Sequence, residues 1–325
     1  MAQERNLGID LLRILSMLMV CLLHVLGVGG VLSSCEPGTA SYILLWFLNA
    51  LSFGAVNLYA LISGFVGINA SHRFKSIIKL WLQVFFYSVL ICFMVSRIRP
   101  DLVSTAMIKN AFFPVCTGQY WYFTAYFLLF FVSPLLNAGI SAMEEKSLRI
   151  LLVSGFFILC FLPRSFERDI FLSADGYSFL WLSYLYILGG YIKLYEPLKK
   201  VRGGYLVLLF FAFGAISLLP RLFLGERYAL YLISYMSPTV VLGSVCLFLA
   251  FSKMKIRTFK GIIKFFSAGA FSVYLIHTHP VIFSNFLSGA FFGIGAGGAI
   301  ISAILIYIAC TILDIPRRLL FKIIK

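Results

Sequence analysis

Apolar segments long enough to cross a lipid bilayer fill most of this sequence and restrict its fold more than any other feature. A membrane-spanning helix needs about 20 mostly apolar residues. Such segments are predicted at 9–30, 41–68, 77–95, 119–140, 150–163, 176–195, 204–220, 231–252, 265–286 and 293–313. The loops between them are short. The sequence therefore predicts an all-α integral membrane protein with about ten transmembrane helices in a single domain over residues 1–325.

The charges are few and unevenly placed. The chain has a net charge of +15, although only 12% of its residues are charged. In a soluble protein this surplus would suggest a nucleic-acid partner. With the N-terminus placed inside, however, about three quarters of the 27 Lys and Arg residues fall in inner segments, as expected for cytoplasmic loops. The pattern predicts two cytoplasmic termini and no nucleic-acid partner, and it makes membrane lipids the partner of the basic loops.

The first predicted span contains two ionisable side chains in an apolar setting, Arg13 and His24. An ionisable residue inside a span is costly, and by default it indicates function. Eleven helical steps of about 100° bring the two side chains to within about 20° of the same face. The same steps separate them by about 16 Å along the helix axis. Asp10, three residues before Arg13, is placed to pair with it.

This spacing suits a reaction with a long, phosphate-bearing donor. A guanidinium at the inner rim of the membrane can hold a phosphate. A buried imidazole can take a proton from a hydroxyl. A coenzyme A thioester carries phosphates at one end and a reactive carbonyl at the other. Arg13 would hold the first end, and His24 would act at the second.

Several segments resemble a known family. They are Ile9-Asp10-x-Leu12-Arg13 with His24 after ten intervening residues, Leu58–Phe65 followed by Arg73, Lys75 and Lys79, Tyr120–Phe123 followed by Ser133–Leu136, and Ser272–His277. Together and in this order, they resemble the acyltransferase-3 family of integral membrane O-acyltransferases. The resemblance runs over nearly the whole chain.

The resemblance implies transfer of an acyl group, most often acetyl, from cytoplasmic acyl-CoA to a hydroxyl of a cell-surface or lipid-linked glycan. It implies that Arg13 binds the donor and that His24 is catalytic. The basic residues Arg73, Lys75 and Lys79, together with Asp10, are expected to complete the donor site. Acetyl-CoA is then the acyl-donor co-substrate and no metal is expected. The predicted setting is polysaccharide biosynthesis at a bacterial plasma membrane.

Four further residues are predicted to bind the acceptor. Trp121 and Tyr122 open the fourth span from outside and could stack on a sugar ring. Tyr274 could donate a hydrogen bond to an oxyanion, and His277 could line the same cavity. His277 and His279 are two residues apart, so on a regular helix they point about 200° away from each other and cannot chelate one metal. His279 is expected to be structural or to lie at the outer rim.

Two questions stay open at the level of sequence. His24 could act as a general base in direct transfer, or it could carry the acyl group as a covalent intermediate. The alternative function is a multi-span transporter or flippase for a glycolipid or small solute, without chemistry. Transporters often carry inverted repeats with broken helices at matching places, and the sequence shows no such pairing.

Overall fold

A computed structural model describes residues 5–70, 74–166, 168–225, 228 and 230–323. In this part of the chain the secondary structure is helical, with turns between the helices and no strand. In order, the helices are α1 Leu7–Leu26, α2 Ala40–Ser52, α3 Gly54–Gly67, α4 Phe74–Ile98, α5 Thr105–Phe112, α6 Trp121–Ala142, α7 Glu145–Ser165, α8 Phe179–Tyr195, α9 Gly203–Phe223, α10 Pro238–Ser252, α11 Lys260–His277, α12 Pro280–Ile282, α13 Ala296–Leu313 and α14 Ile315–Ile323. The predicted all-α class is confirmed.

Each of the ten predicted spans falls on a helix, but their lengths differ from the prediction. Among the described residues, seven helical segments are long and apolar enough to cross a membrane. Two of them join neighbouring helices, namely Ala40–Gly67, which covers α2 and α3, and Ala296–Phe321, which covers α13 and most of α14. An eighth is reached if α11 is joined to the segment Pro280–Leu287. The two remaining predicted spans are the shorter α8, with 17 residues, and α10, with 15. Ten membrane crossings and cytoplasmic termini stay predictions.

The described residues form two compact units whose segments alternate along the sequence. The first unit comprises Met1–Leu12, Ala50–His72 and Ala125–Arg257. The second comprises Arg13–Asn49, Arg73–Thr124 and Thr258–Lys325. Among the described residues predicted to act in function, all except Asp10 belong to the second unit.

The first unit is built on close helix crossings. A Cβ atom on Gly64 of α3 would lie 1.9 Å from the carbonyl oxygen of Tyr186 in α8. A Cβ atom on Gly189 of α8 would lie 2.2 Å from the carbonyl oxygen of Leu61 in α3. Small residues let membrane helices approach backbone to backbone, where dispersion contacts hold them together. These two glycines therefore fix how α3 packs on α8.

The second unit contains the bend between α11 and the segment that follows it. α11 ends at His277, and the chain turns by 64° before it continues through α12 and a π-helical turn at Phe283–Leu287. Pro280 stands at the start of α12, where its missing N–H and fixed φ are tolerated. Broken helices at membrane depth are accepted where neighbouring groups satisfy the exposed backbone. The bend consequently gathers polar side chains around it.

Candidate active site

α1 carries Arg13 and His24 on one uninterrupted helix. Arg13 and His24 both lie within Leu7–Leu26, and both are partly buried. The helical spacing on which the prediction rests is therefore present in the structure, with about 16 Å of rise between the two residues. His24 stands in the last turn of the helix.

His24 meets His277 across the second unit. Nδ1 of His24 lies 3.0 Å from Nε2 of His277, and the ring centroids are 5.1 Å apart. The edge of Phe283, from the π-helical turn, packs against the His24 ring at 5.1 Å. His277 is buried, at 3% exposed, whereas His24 keeps part of its surface accessible. The two imidazoles thus form a hydrogen-bonded pair, and His24 is its accessible member.

The second nitrogen of His277 is also engaged, while that of His24 is not. Nδ1 of His277 lies 2.5 Å from the carbonyl oxygen of Val273, one turn earlier on α11. Within the described part of the chain, Nε2 of His24 has no protein hydrogen-bond partner. The pair therefore offers one unoccupied imidazole nitrogen, and that nitrogen belongs to His24.

Side chains satisfy the backbone carbonyls at the end of α11. The Thr278 hydroxyl donates to the carbonyl of Tyr274 at 2.7 Å. The Tyr120 hydroxyl donates to the carbonyl of Leu275 at 3.2 Å, and Tyr120 is only 1% exposed. Tyr120 was noted in sequence only as part of a family-like segment, and no sequence pattern signals its contact with α11. It stabilises the bend that places His277.

His279 has a separate, structural set of contacts. Its Nδ1 accepts a hydrogen bond from the backbone N–H of Val281, so that it caps α12. Its Nε2 donates to the carbonyl of Ser88 in α4 at 3.1 Å. These contacts agree with the expectation of a structural histidine. Among the described residues, no group of three His, Cys, Asp or Glu side chains is arranged to hold a metal ion.

The aromatic residues predicted to bind the acceptor lie in one cluster. The Tyr122 ring contacts Tyr274 edge to face at 6.4 Å, and Trp121 contacts Tyr122 at 5.6 Å. Tyr120 also packs on Tyr274, at 5.8 Å. Tyr274 is 8% exposed, whereas Trp121 and Tyr122 keep more accessible surface. The cluster joins the start of α6 to the turn of α11 that precedes His277.

The residues predicted to hold the donor are distributed over several elements. Asp10 is fully buried, and its carboxylate accepts from Nε and Nη2 of Arg5 at 2.5 and 3.1 Å. This Arg5 contact was not foreseen, because only the Arg13 pairing was considered. Lys75 and Lys79 are exposed and lie one turn apart in the first two turns of α4. Arg73 lies outside the described residues.

Lys79 differs from Lys75 because it lines a groove between α4 and α14. The groove has a volume of about 1160 Å³, and the other charged side chain in its wall is Arg317 of α14. Most of the remaining wall is apolar and comes from successive turns of α4. The groove therefore combines two basic residues with an apolar path along α4.

A buried carboxylate, Asp314, was missed in the sequence. It accepts hydrogen bonds from Tyr87 at 2.5 Å, from Arg317 at 2.6 Å and from Arg318 at 2.5 Å. Asp314 is fully buried, and its contacts join α4 to α14 at the end of α13. The available signal was an acid followed by arginines at positions i+3 and i+4. Both arginines also fit the excess of basic residues expected in inner segments, so the pattern was not distinctive.

Comparisons with known proteins place the chain in a family. The model of the acyltransferase domain family Acyl_transf_3 matches residues 6–314. No curated protein matched the chain, and no solved structure matched it. The matched range includes Arg13, His24, the aromatic cluster and the bend at His277. This protein, which carries a hydrogen-bonded histidine pair among apolar helices, belongs to the acyltransferase-3 family.

Proposed function

We propose that this protein transfers an acyl group, most often acetyl in the family it belongs to, from acyl-CoA on the cytoplasmic side to a hydroxyl of a cell-surface or lipid-linked glycan. The proposal rests on the environment of the His24 ring. It is partly accessible, it is hydrogen-bonded through Nδ1, and Nε2 is unoccupied within the described chain. An oriented imidazole with one available nitrogen is the arrangement that general base catalysis requires.

The donor is proposed to enter from the cytoplasmic side with its phosphates at the basic residues. Arg13 stands about 16 Å from His24 along α1, a distance that the extended arm of coenzyme A can bridge. Lys75 and Lys79 add positive charge at the start of α4, and Arg317 faces the same groove as Lys79. Arg73 and Asp10 remain part of the proposed donor site, Asp10 through Arg5, which its carboxylate binds.

The proposed chemical step is direct transfer. Nε2 of His24 takes the proton of the acceptor hydroxyl as its oxygen attacks the thioester carbonyl. The new C–O bond forms, the C–S bond breaks, and the His24 imidazolium returns the proton to the departing thiolate. The products are the acyl ester and free coenzyme A. Such base catalysis contributes about 10²–10⁴-fold to the rate. An acyl-His24 intermediate would use the same nitrogen as the nucleophile.

The acceptor is proposed to meet the aromatic cluster of Trp121, Tyr122 and Tyr274. The two residues at the start of α6 keep accessible surface on which a sugar ring could lie. Tyr274 precedes His277 by less than one turn of α11, and its hydroxyl is the proposed oxyanion donor. A glycan acceptor and a cell-membrane location are part of the same proposal, and the family and the apolar helices support them.

The proposal is tested with the His24→Ala variant in the cell that makes the protein. Surface polysaccharide is purified from wild-type and variant cells, and its O-acyl groups are quantified by NMR. We expect these groups to be lost in His24→Ala and retained in His279→Gln, which alters a buried histidine with structural contacts. Persistence of O-acyl groups at equal protein levels would contradict the role of His24. Loss in both variants would mean that the bend, rather than His24, is decisive.

A further inference from the structure

The hydrogen bonds around His277 determine which of its nitrogens carries the proton. A backbone carbonyl oxygen can only accept a hydrogen bond. Nδ1 of His277 lies 2.5 Å from the carbonyl oxygen of Val273 and must therefore be the donor. In a neutral imidazole the second nitrogen is then an acceptor. Nε2 of His277 consequently presents a lone pair to its neighbour.

That neighbour is His24, so the assignment passes from one ring to the other. Nδ1 of His24 lies 3.0 Å from Nε2 of His277. Because Nε2 of His277 accepts, Nδ1 of His24 must donate. In a neutral ring this leaves the lone pair of His24 on Nε2. The hydrogen bond made by one imidazole nitrogen sets the state of the other.

We propose that His277 is a positioning residue that holds His24 as its Nδ1–H tautomer, so that Nε2 of His24 is always the nitrogen that takes the acceptor proton. This inference rests on the proposed function of His24. It gives His277 a role other than binding the acceptor, because both of its nitrogens are used within the protein. Two hydrogen bonds in series run from the carbonyl of Val273 through His277 to His24, and we call this series the relay, although it passes no proton.

The hydrogen bond from Nδ1–H of His24 to Nε2 of His277 can persist throughout the reaction. When Nε2 of His24 takes a proton, its Nδ1–H continues to donate to His277, and the imidazolium keeps its partner. When Nε2 returns the proton to the thiolate, the ring recovers its starting tautomer. No proton needs to move through His277 at any step. Because His277 stays neutral, the imidazolium of His24 is the one charge on the pair, and no second charge is buried among the apolar side chains around it.

Two substitutions at His277 distinguish its role as a hydrogen-bond acceptor for Nδ1–H of His24 from its role in filling the space beside that ring. In His277→Gln, the amide oxygen can take the place of Nε2 and accept from Nδ1 of His24. In His277→Leu, the side chain fills a similar volume but accepts nothing. We expect kcat to fall about 10²-fold or more in His277→Leu, with the donor KM changed less than about twofold. His277→Gln should retain most of the wild-type kcat.

His279→Leu is the matched control. It removes a buried histidine and two hydrogen bonds from the same bend without touching the His24 ring. We expect it to lower thermal stability and leave the kcat of the folded protein within about threefold of wild type, because the relay is intact. If His279→Leu lowers kcat as much as His277→Leu, the relay is not the cause and the inference is overturned.

A spectroscopic measurement tests the tautomer without any reaction. The full-length protein is labelled with ¹⁵N-histidine in nanodiscs, and the His24 signals are identified by their loss in His24→Ala. We expect the proton on Nδ1 of His24 in the wild type and in His277→Gln, and a shift towards Nε2–H in His277→Leu. A proton on Nε2 of His24 in the wild type would overturn the inference. If Nδ1 carries the proton but His24→Ala still transfers acyl groups, only the proposed function fails.

Discussion

Asn57 and His24 are both polar side chains within apolar helices, but their hydrogen-bonding atoms are used differently. Asn57, in the first unit, donates from Nδ2 to the carbonyl of Tyr235 at 2.8 Å and accepts from Nε1 of Trp181 at 3.0 Å. It is fully buried. His24, in the second unit, has one nitrogen paired and the other unoccupied within the described chain, and it keeps accessible surface.

The difference separates polar groups that hold helices together from those that are available for chemistry. A buried polar group whose atoms are all paired stabilises the helices it joins. Where one atom is left for a substrate, the surrounding contacts orient it. The comparison predicts that altering Asn57 lowers stability, while altering His24 lowers the rate per folded molecule.

The largest effect on folding is expected where the first unit has no space for a side chain. Gly64→Ala would place a Cβ atom 1.9 Å from a backbone oxygen in α8. We expect little or no folded protein after solubilisation, measured by size-exclusion chromatography. Gly139→Ala in α6 is the control, because its added Cβ would have no described atom within 4 Å apart from its chain neighbours and the nearby backbone of its own helix. Equal yields for the two variants would show that the close crossing of α3 and α8 is not needed.

Asp314 tests what makes a buried polar group structural. The cause is either that its atoms are hydrogen-bonded within the protein or that it lies in the first unit. Asp314 lies in the same unit as His24, but its carboxylate is fully buried and bound by Tyr87, Arg317 and Arg318. Asp314→Asn should lower the free energy of unfolding by about 3–5 kcal/mol, because it disrupts a buried ion pair. Chemical denaturation in detergent measures this change.

An exposed ion pair is the control for Asp314. Asp101 binds Arg99 through two hydrogen bonds, and both side chains are more than half exposed. Asp101→Asn should leave the stability unchanged within error. A change as large as that of Asp314→Asn would indicate a general charge effect instead of the buried network.

A smaller loss of stability is expected for Asn57→Leu. The substitution leaves the Trp181 N–H and the Tyr235 carbonyl without their partner. Both groups are neutral, so the expected total loss is about 1–3 kcal/mol, less than for the disrupted ion pair of Asp314. The midpoint of thermal unfolding should fall, while kcat per folded molecule should stay within about twofold of wild type. A tenfold loss of kcat would break the distinction between the two kinds of polar residue.

The smallest effects are expected for the lysines of α4. Exposed charges contribute about 0.2–1 kcal/mol, so Lys75→Gln and Lys79→Gln should each raise the donor KM by at most about fivefold. Lys79 lines the groove with Arg317, so its effect should be the larger of the two. Steady-state kinetics at varied donor concentration checks this order. A change in kcat without a change in KM would place these residues outside the donor site.

Much of the fold was visible in the sequence because apolar segments of membrane length are easy to recognise. The helices that escaped prediction, α5 and α14, are short, and α14 mixes charged with apolar residues. The 64° bend falls at Pro280, inside the stretch 265–286 that was predicted as one continuous span. The lengths of α8 and α10 could not be predicted, because loop residues beside them are apolar as well.

The site was predicted only as far as local spacing allowed. Arg13 and His24 could be related because one helix joins them. The contact of His24 with His277 spans 253 positions, and no spacing rule connects such residues. The Asp314 network combines α4 with the end of the chain, and its arginines fitted the topology rule equally well. Long-range pairs of this kind depend on helix packing, which one sequence does not reveal.

His24 is proposed to perform the chemistry, while the side chains around it hold its ring in place. The most direct test is the single-turnover rate of label transfer from ¹⁴C-acetyl-CoA to glycan acceptor in proteoliposomes, expressed per folded molecule. For His24→Ala, we expect a rate about 10²–10⁴-fold below wild type with nearly unchanged thermal stability. A rate within about threefold of wild type in the folded variant would contradict it.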